Sequence, residues 1–194
     1  MISSQQIKEL RERTGAGISD VKKALEDAKG DVARAHDLIQ RKFGGVAEKK
    51  ASRETRAGLV DAYIHSNGKI GVLVEISCET DFVARNPAFK ELAHDIAMHI
   101  AAMRPLYMSL DTVPKDVWQI EKERFEEEVR ALGKPAAITG QIVDGKLKAH
   151  FGALALLEQP FIKDQDKSVG EMIKEAIGKF GENMKVGRFT RLEI

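Results

Sequence analysis

The sequence predicts an α+β fold: a small N-terminal bundle of three helices, a polar linker, and a core in which helices pack on a small antiparallel sheet. Three observations carry this. The first 45 residues hold three short helical patterns punctuated by glycine. The apolar signal vanishes between Glu48 and Arg56. Strand-like alternation then appears at residues 59–78 and returns at the C-terminal end. A chain of 194 residues can bury roughly two thirds of its unfolded surface, so no disulfide or metal staple is required.

The elements follow in order. Ser3 with Gln6 forms a capping box, and Ile7 and Leu10 give the first helix an apolar stripe. Thr14-Gly-Ala-Gly17 is the turn. Ser19 is expected to cap a second helix carrying Val21, Ala24, Leu25 and Ala28, ended by Gly30. Asp31 caps a third, with Val32, Ala35, Ile39 and Phe43 inward, and Gly44-Gly45 is expected to stop it. Helices this short do not persist alone in water, so the three must pack together. From Arg41 to Arg56 six basic residues face two acidic ones. The strip could bind phosphate, but with no aromatic or glycine pattern beside it, it reads as a solvated linker. The division expected is 1–48 for the bundle, 49–57 for the linker and 58–194 for the core.

Leu59–Ser66 and Lys69–Cys78 flank Asn67-Gly68, a strong hairpin signal. That turn sets Tyr63 opposite Val72, His65 opposite Ile70 and Asp61 opposite Val74. The other face carries Val60, Ala62, Ile64 and Leu73, so both faces are partly apolar and the second needs a cover, internal or from another protein. After Asn86-Pro87, apolar residues from Phe89 to Ala101 recur at helical spacing, closed by Pro105. Further helices are predicted from Lys115 to Leu132, over 135–158 with a break at Asp144-Gly145, and from a Ser168 cap to Lys179. Met184–Ile194 alternates as a final strand.

Composition excludes several functions. Thirty-one Lys and Arg against thirty Asp and Glu leave a net charge of +1, so no bulk field draws nucleic acid or an anionic membrane. The single cysteine, Cys78, rules out an internal disulfide framework and fits a reducing compartment. The start lacks the basic-then-apolar build of a signal peptide, and no window reaches the ~20 apolar residues that span a bilayer. A soluble cytoplasmic protein is expected.

Candidate chemistry is sparse. His94-Asp95 with His99 suggests a metal-dependent phosphohydrolase, but 94 and 99 lie about 140° apart on a helix. Asp95 and His99 share a side off the apolar stripe and are expected to be solvated. Glu75, Glu79 and Asp81 suggest a carboxylate metal site, yet Glu75 and Glu79 stand ~13 Å apart on a continuing strand. No phosphate-cradling glycine loop or nucleophile elbow occurs. Cys78 reads as a small core hydrophobe. Thr80-Asp81-Phe82-Val83 is different, because it follows a strand and precedes Asn86-Pro87 and so should protrude as a loop. A Phe there either tucks under its own helix, the arrangement these residues favour, or is presented to a partner as an apolar anchor beside a polar one.

Three stretches carry a resemblance. LRERTGAGISDVKKALEDAKGDVARAHDLIQRKF, YIHSNGKIGVLVEISCETDFVARNPAF and LLEQPFIKD make the chain similar to bacterial translation elongation factor Ts over essentially its whole length. The resemblance implies a guanine nucleotide exchange factor for the GTPase elongation factor Tu, with no catalytic residues, cofactor or metal of its own. It implies that the first ~50 residues form a ubiquitin-associated-like domain that docks on the GTPase. It implies that Thr80, Asp81, Phe82 and Val83 form the working loop, which perturbs the partner's Mg²⁺ and phosphate site until GDP leaves. The chain would then stay bound until GTP binds. Longer members carry a second core copy and an added coiled-coil segment, whereas this chain has one Tyr-x-His hairpin, Tyr63-Ile-His65. It therefore resembles the short form that pairs as a homodimer, in which His65 could contact the GTPase from the other subunit. Outside the family, the alternatives are the phosphohydrolase and a ubiquitin-associated-like binding module with an unrelated partner.

Overall fold

Helix α1 (Ser4–Thr14) begins at the expected capping box: Gln6 N donates to Ser3 Oγ at 3.1 Å and Ser3 N to Gln6 Oε1 at 2.9 Å. These are coordinates of a computed structural model, which describes residues 2–133 and 135–194. Helix α2 (Ile18–Asp27) is capped by Gly17 rather than Ser19. The reason is Thr14, which is buried, donates its hydroxyl to Leu10 O at 2.6 Å and accepts from Ala16 N at 3.2 Å. That holds the turn tightly, with Gly15 at φ +65°, and starts the helix early. Helix α3 (Val32–Lys50) opens on Asp31, which accepts from Arg34 N, and runs straight through Gly44-Gly45. The linker expected at 49–57 thus begins inside a helix.

Strands β1 (Ala57–Ile64) and β2 (Ile70–Cys78) pair in the register expected, Asp61 opposite Val74 and Tyr63 opposite Val72. The turn closes on Gly68 N to His65 O, 2.8 Å, with Gly68 at φ +67°. A single helical turn, α4 (Asp81–Ala84), precedes α5 (Pro87–Met103), which Asn86 caps. Helices α6 (Lys115–Ala131) and α7 (Ala136–Leu154) lead into a ribbon absent from the sequence reading, β3 (Pro160–Phe161) with β4 (Asp164–Ser168). Helix α8 (Val169–Phe180) and strand β5 (Met184–Glu193) complete the chain. β5 pairs antiparallel with β2, so the sheet order is β1-β2-β5.

Buried apolar side chains form three clusters. The bundle gathers Leu10, Val21, Leu25, Ala35 and Ile39. The core joins the inner sheet face (Val72, Val74, Ile76, Cys78) to Phe89, Ile96 and Ile100 of α5 and Ile173 of α8. The third lies between α6 and α7, where Trp118 stacks on Phe151 with ring centres 4.7 Å apart. α7 is unbroken at Asp144-Gly145 because Val143 and Leu147, one helical turn apart, are both buried against α6.

Packing also explains why Gly44-Gly45 fail to end α3. Two interior glycines cost about 1 kcal/mol each relative to alanine, but apolar anchors stand on either side of them. Phe43 lies on α8 at Gly178, where a Cβ would collide with its ring, and Ala47 is buried in the core cluster. Beside this contact Gln40 Nε2 donates to the buried Glu175 carboxylate at 2.6 Å, which also takes Lys167 Nζ at 3.1 Å. The opposite, outer sheet face is bare, with Val60, Ile64, Leu73 and Leu192 all exposed.

Candidate functional site

The Thr80–Val83 segment leaves the end of β2 as the short helix α4. Thr80 caps it, its hydroxyl accepting from Val83 N at 3.5 Å. One turn of helix then sorts the side chains. Val83 and Ala84 face inward at 5% and 7% exposure, while Phe82 faces out at 84%. The tucked arrangement favoured by the residues alone is therefore not adopted. The inward positions beside the sheet are already taken by Val83 and Ala84, so Phe82 has no core to enter. Asp81 stands beside it, paired with Arg85 Nη2 at 3.3 Å across an exposed helical turn.

The base of the turn is held by polar groups from distant sequence. The Glu182 carboxylate accepts both the Thr80 hydroxyl, at 2.6 Å, and Thr80 N, at 3.0 Å. Asn183 N donates to Glu79 Oε1 at 2.6 Å, and this bond, with the Arg53 charge, holds the Glu79 carboxyl below its ordinary range. Asn183 Nδ2 reaches Arg53 O at 2.8 Å and Ala51 O at 3.3 Å. Cys78 is buried with its thiol donating to Thr80 O at 3.2 Å; burial pushes its pKa up, and the neighbouring Glu182 charge adds to this. Sequence reasoning missed Glu182 and Asn183. Their link to the turn spans 102 and 104 residues, and no local pattern announces such a contact.

His65 lies at the far end of the sheet, exposed, with Nδ1 3.1 Å from Tyr63 Oη. It is not brought near Phe82. The phosphohydrolase constellation does not assemble either. His94 Nδ1 meets Asp61 Oδ2 at 3.0 Å, and Asp95 Oδ1 takes Lys163 Nζ at 2.6 Å.

His99 is fully buried, against the solvated position expected. Nε2 lies 3.0 Å from Gln159 Oε1, and Ile162 N donates to Nδ1 at 3.3 Å, which fixes a neutral ring with its proton on Nε2. Burial pulls its pKa down, opposed by the bond to Gln159. The signal overlooked is spacing: His99 follows Leu92 by seven residues and so borders the apolar stripe. Glu75 pairs with Arg188 at 2.9 Å, Glu79 with Arg53 and Asn183, and no group of three metal donors occurs among the described residues. The cleft between α3 and α8, about 500 Å³, is lined by charges of both signs that include the Lys167–Glu175 pair. No described helix is long and apolar enough to cross a membrane.

The family model described as Elongation factor TS matches residues 16–194 of this chain. That span contains the turn, the hairpin and the whole core. The chain belongs to the elongation factor Ts family. A protein named Elongation factor Ts from Fervidobacterium nodosum is 51% identical over 193 residues, covering 100% of this chain and 98% of the relative. Elongation factor Ts proteins from Thermosipho melanesiensis and Rubrobacter xylanophilus are 49% and 48% identical, covering 99% and 97% of their own lengths. These relatives match the chain almost end to end, so the similarity takes in the bundle, the turn and the core together.

Proposed function

We propose that this chain is a guanine nucleotide exchange factor for elongation factor Tu in translation elongation, working through Thr80, Asp81, Phe82 and Val83. The observation that carries the reading is the contrast within one turn: Phe82 is 84% exposed while the residues after it are buried. An aromatic ring held outward on a capped turn is suited to enter a pocket on a partner. Fully burying it there contributes on the order of 1.5–3 kcal/mol. If that contact forms mainly with the nucleotide-free GTPase, it shifts the balance tenfold or more toward release. Linkage then requires GDP to weaken binding of this chain by the same factor. The exchange factor binds the GDP form, the turn disturbs the partner's Mg²⁺ and phosphate site, and the complex persists until GTP enters. The N-terminal bundle, residues 1–48, docks on the GTPase domain. The chain performs no covalent chemistry.

The test is stopped-flow release of a fluorescent GDP analogue from purified elongation factor Tu. Catalytic amounts of the wild type accelerate release, and Phe82→Ala loses most of that acceleration. Equal acceleration by the two would sink the role of the turn.

The outer sheet face supports a homodimer. Val60, Ile64, Leu73 and Leu192 make a contiguous apolar surface, of the kind that marks an interaction site. In such a pair, the family resemblance assigns His65 of one subunit to a contact with the GTPase engaged by the other. Leu73→Glu buries an unpaired charge in that interface, at a cost of roughly 3–5 kcal/mol. Sedimentation should show the variant as a monomer at concentrations where the wild type is dimeric; a variant that still sediments as a dimer removes this face from the interface.

A further inference from the structure

We propose that Glu182 and Asn183, in the connection between α8 and β5, are the positioning residues of the Thr80–Val83 turn, acting on exchange through the direction in which they hold Phe82. The proposal rests on the reading of that turn given above. A helix of four residues, Asp81–Ala84, has no stability of its own, because nucleation fixes several dihedrals for one hydrogen bond. What orders it must come from outside. Val83 and Ala84 anchor its inner side in the core, and Glu182 fixes its start through both oxygens: Oε1 accepts from the Thr80 hydroxyl and Oε2 from the Thr80 backbone N–H. Sending the hydroxyl proton to Glu182 turns the Thr80 lone pairs toward Val83 N, so the cap of α4 is set by a residue 102 positions away in sequence.

Asn183 holds the flanks. Its N–H fixes Glu79, the residue before the turn, and its side-chain amide binds the carbonyls of Ala51 and Arg53, where the chain leaves α3. Asn183 is 2% exposed, so these bonds are sheltered from water and worth more than surface ones. Two consecutive residues thereby tie the base of the turn to the end of α3, while Phe82 itself stays free for a partner. A carboxylate suits position 182 because it accepts twice and donates nothing. An amide there points an N–H at one of two Thr80 donors.

The experiment is the GDP-release assay with wild type, Glu182→Ala, Phe82→Ala and the double variant Glu182→Ala/Phe82→Ala. Glu182→Ala is expected to slow accelerated release roughly tenfold, equivalent to ~1.4 kcal/mol, and to expose the Cys78 thiol to faster modification as the turn loosens. In the Phe82→Ala background the same substitution should add nothing, since the ring it aims is gone. Full acceleration by Glu182→Ala, or an equal further loss in the double variant, overturns the proposal, because Glu182 then acts apart from Phe82. Wild-type speed for Phe82→Ala would overturn the reading of the turn itself, a separate outcome. If Glu182→Ala melts early, Glu182→Gln keeps the size and one acceptor and carries the same cycle, with a smaller loss expected.

Discussion

Phe82 and Phe89 stand seven residues apart on two consecutive helices, and the chain treats them oppositely. Phe89 is wholly buried, edge-on to Phe180 with ring centres 6.4 Å apart, inside the core cluster. Phe82 is the most exposed aromatic near it and touches no such cluster. The helix carrying Phe89 owes its order to apolar packing. The turn carrying Phe82 buries only the small side chains of Val83 and Ala84 and is otherwise held by hydrogen bonds on its backbone and cap. A segment held by its polar groups can leave a large apolar side chain unused, and that is how a stable fold keeps an anchor in reserve for a partner.

Four measurements break or sharpen this contrast. The largest effect is expected for Phe89→Ala, which should lose about 3–5 kcal/mol of unfolding free energy in denaturant titration. A loss below 1 kcal/mol would mean α5 is not held by its packing. Phe82→Ala should leave that stability within ~0.5 kcal/mol of wild type while slowing exchange about tenfold or more. A multi-kcal loss there would place the ring inside the folded protein and erase the difference.

Next comes pH. His99, on the packed helix, has its pKa lowered by burial, so below the unfolded value of about 6.5 the unfolded chain binds a proton that the folded chain refuses. Its contribution is complete above that value and is lost as pH falls from it toward the folded pKa, with a slope of at most ~1.4 kcal/mol per pH unit. His99→Gln should flatten the stability profile in that window relative to wild type; an unchanged slope would show that His99 does not titrate with folding. The smallest effect is expected for Arg85→Ala. Its pair with Asp81 is exposed on both sides, so stability and exchange should both stay within ~0.5 kcal/mol of wild type.

The legible parts of the fold were those written in local chemistry. The Ser3, Asp31 and Ser168 caps, the hairpin register around Asn67-Gly68 and the stripe from Phe89 to Ala101 all depend on residues close in sequence. Two of the misread boundaries share a cause, tertiary contacts that outweighed local preference, while Thr14 and His99 were local signals passed over. Phe43 and Ala47 carried α3 through two glycines, Val143 and Leu147 carried α7 past Asp144-Gly145, and Thr14 moved the start of α2. The separate cluster between α6 and α7 was also unread, since two charged or weakly amphipathic helices give little sign that they prefer each other. For the candidate site, the turn was legible as a place with no structural excuse. The direction of Phe82 was not, because the groups that set it arrive a hundred residues later.

Helix α8 meets the bundle along its C-terminal half and leads from there straight into the turn's support. Glu175 and Gly178 receive Gln40 and Phe43 of α3, and two residues beyond its end Glu182 grips Thr80. Bundle and ring are therefore mounted on one strut. A GTPase already held by residues 1–48 would not find Phe82 by a second search through solution but would meet it as an intramolecular neighbour. The effective concentration would be set by the rigidity of that strut rather than by the concentration of protein in the cell. Lengthening or softening α8 would then lower the rate of insertion while leaving every contact on both surfaces intact.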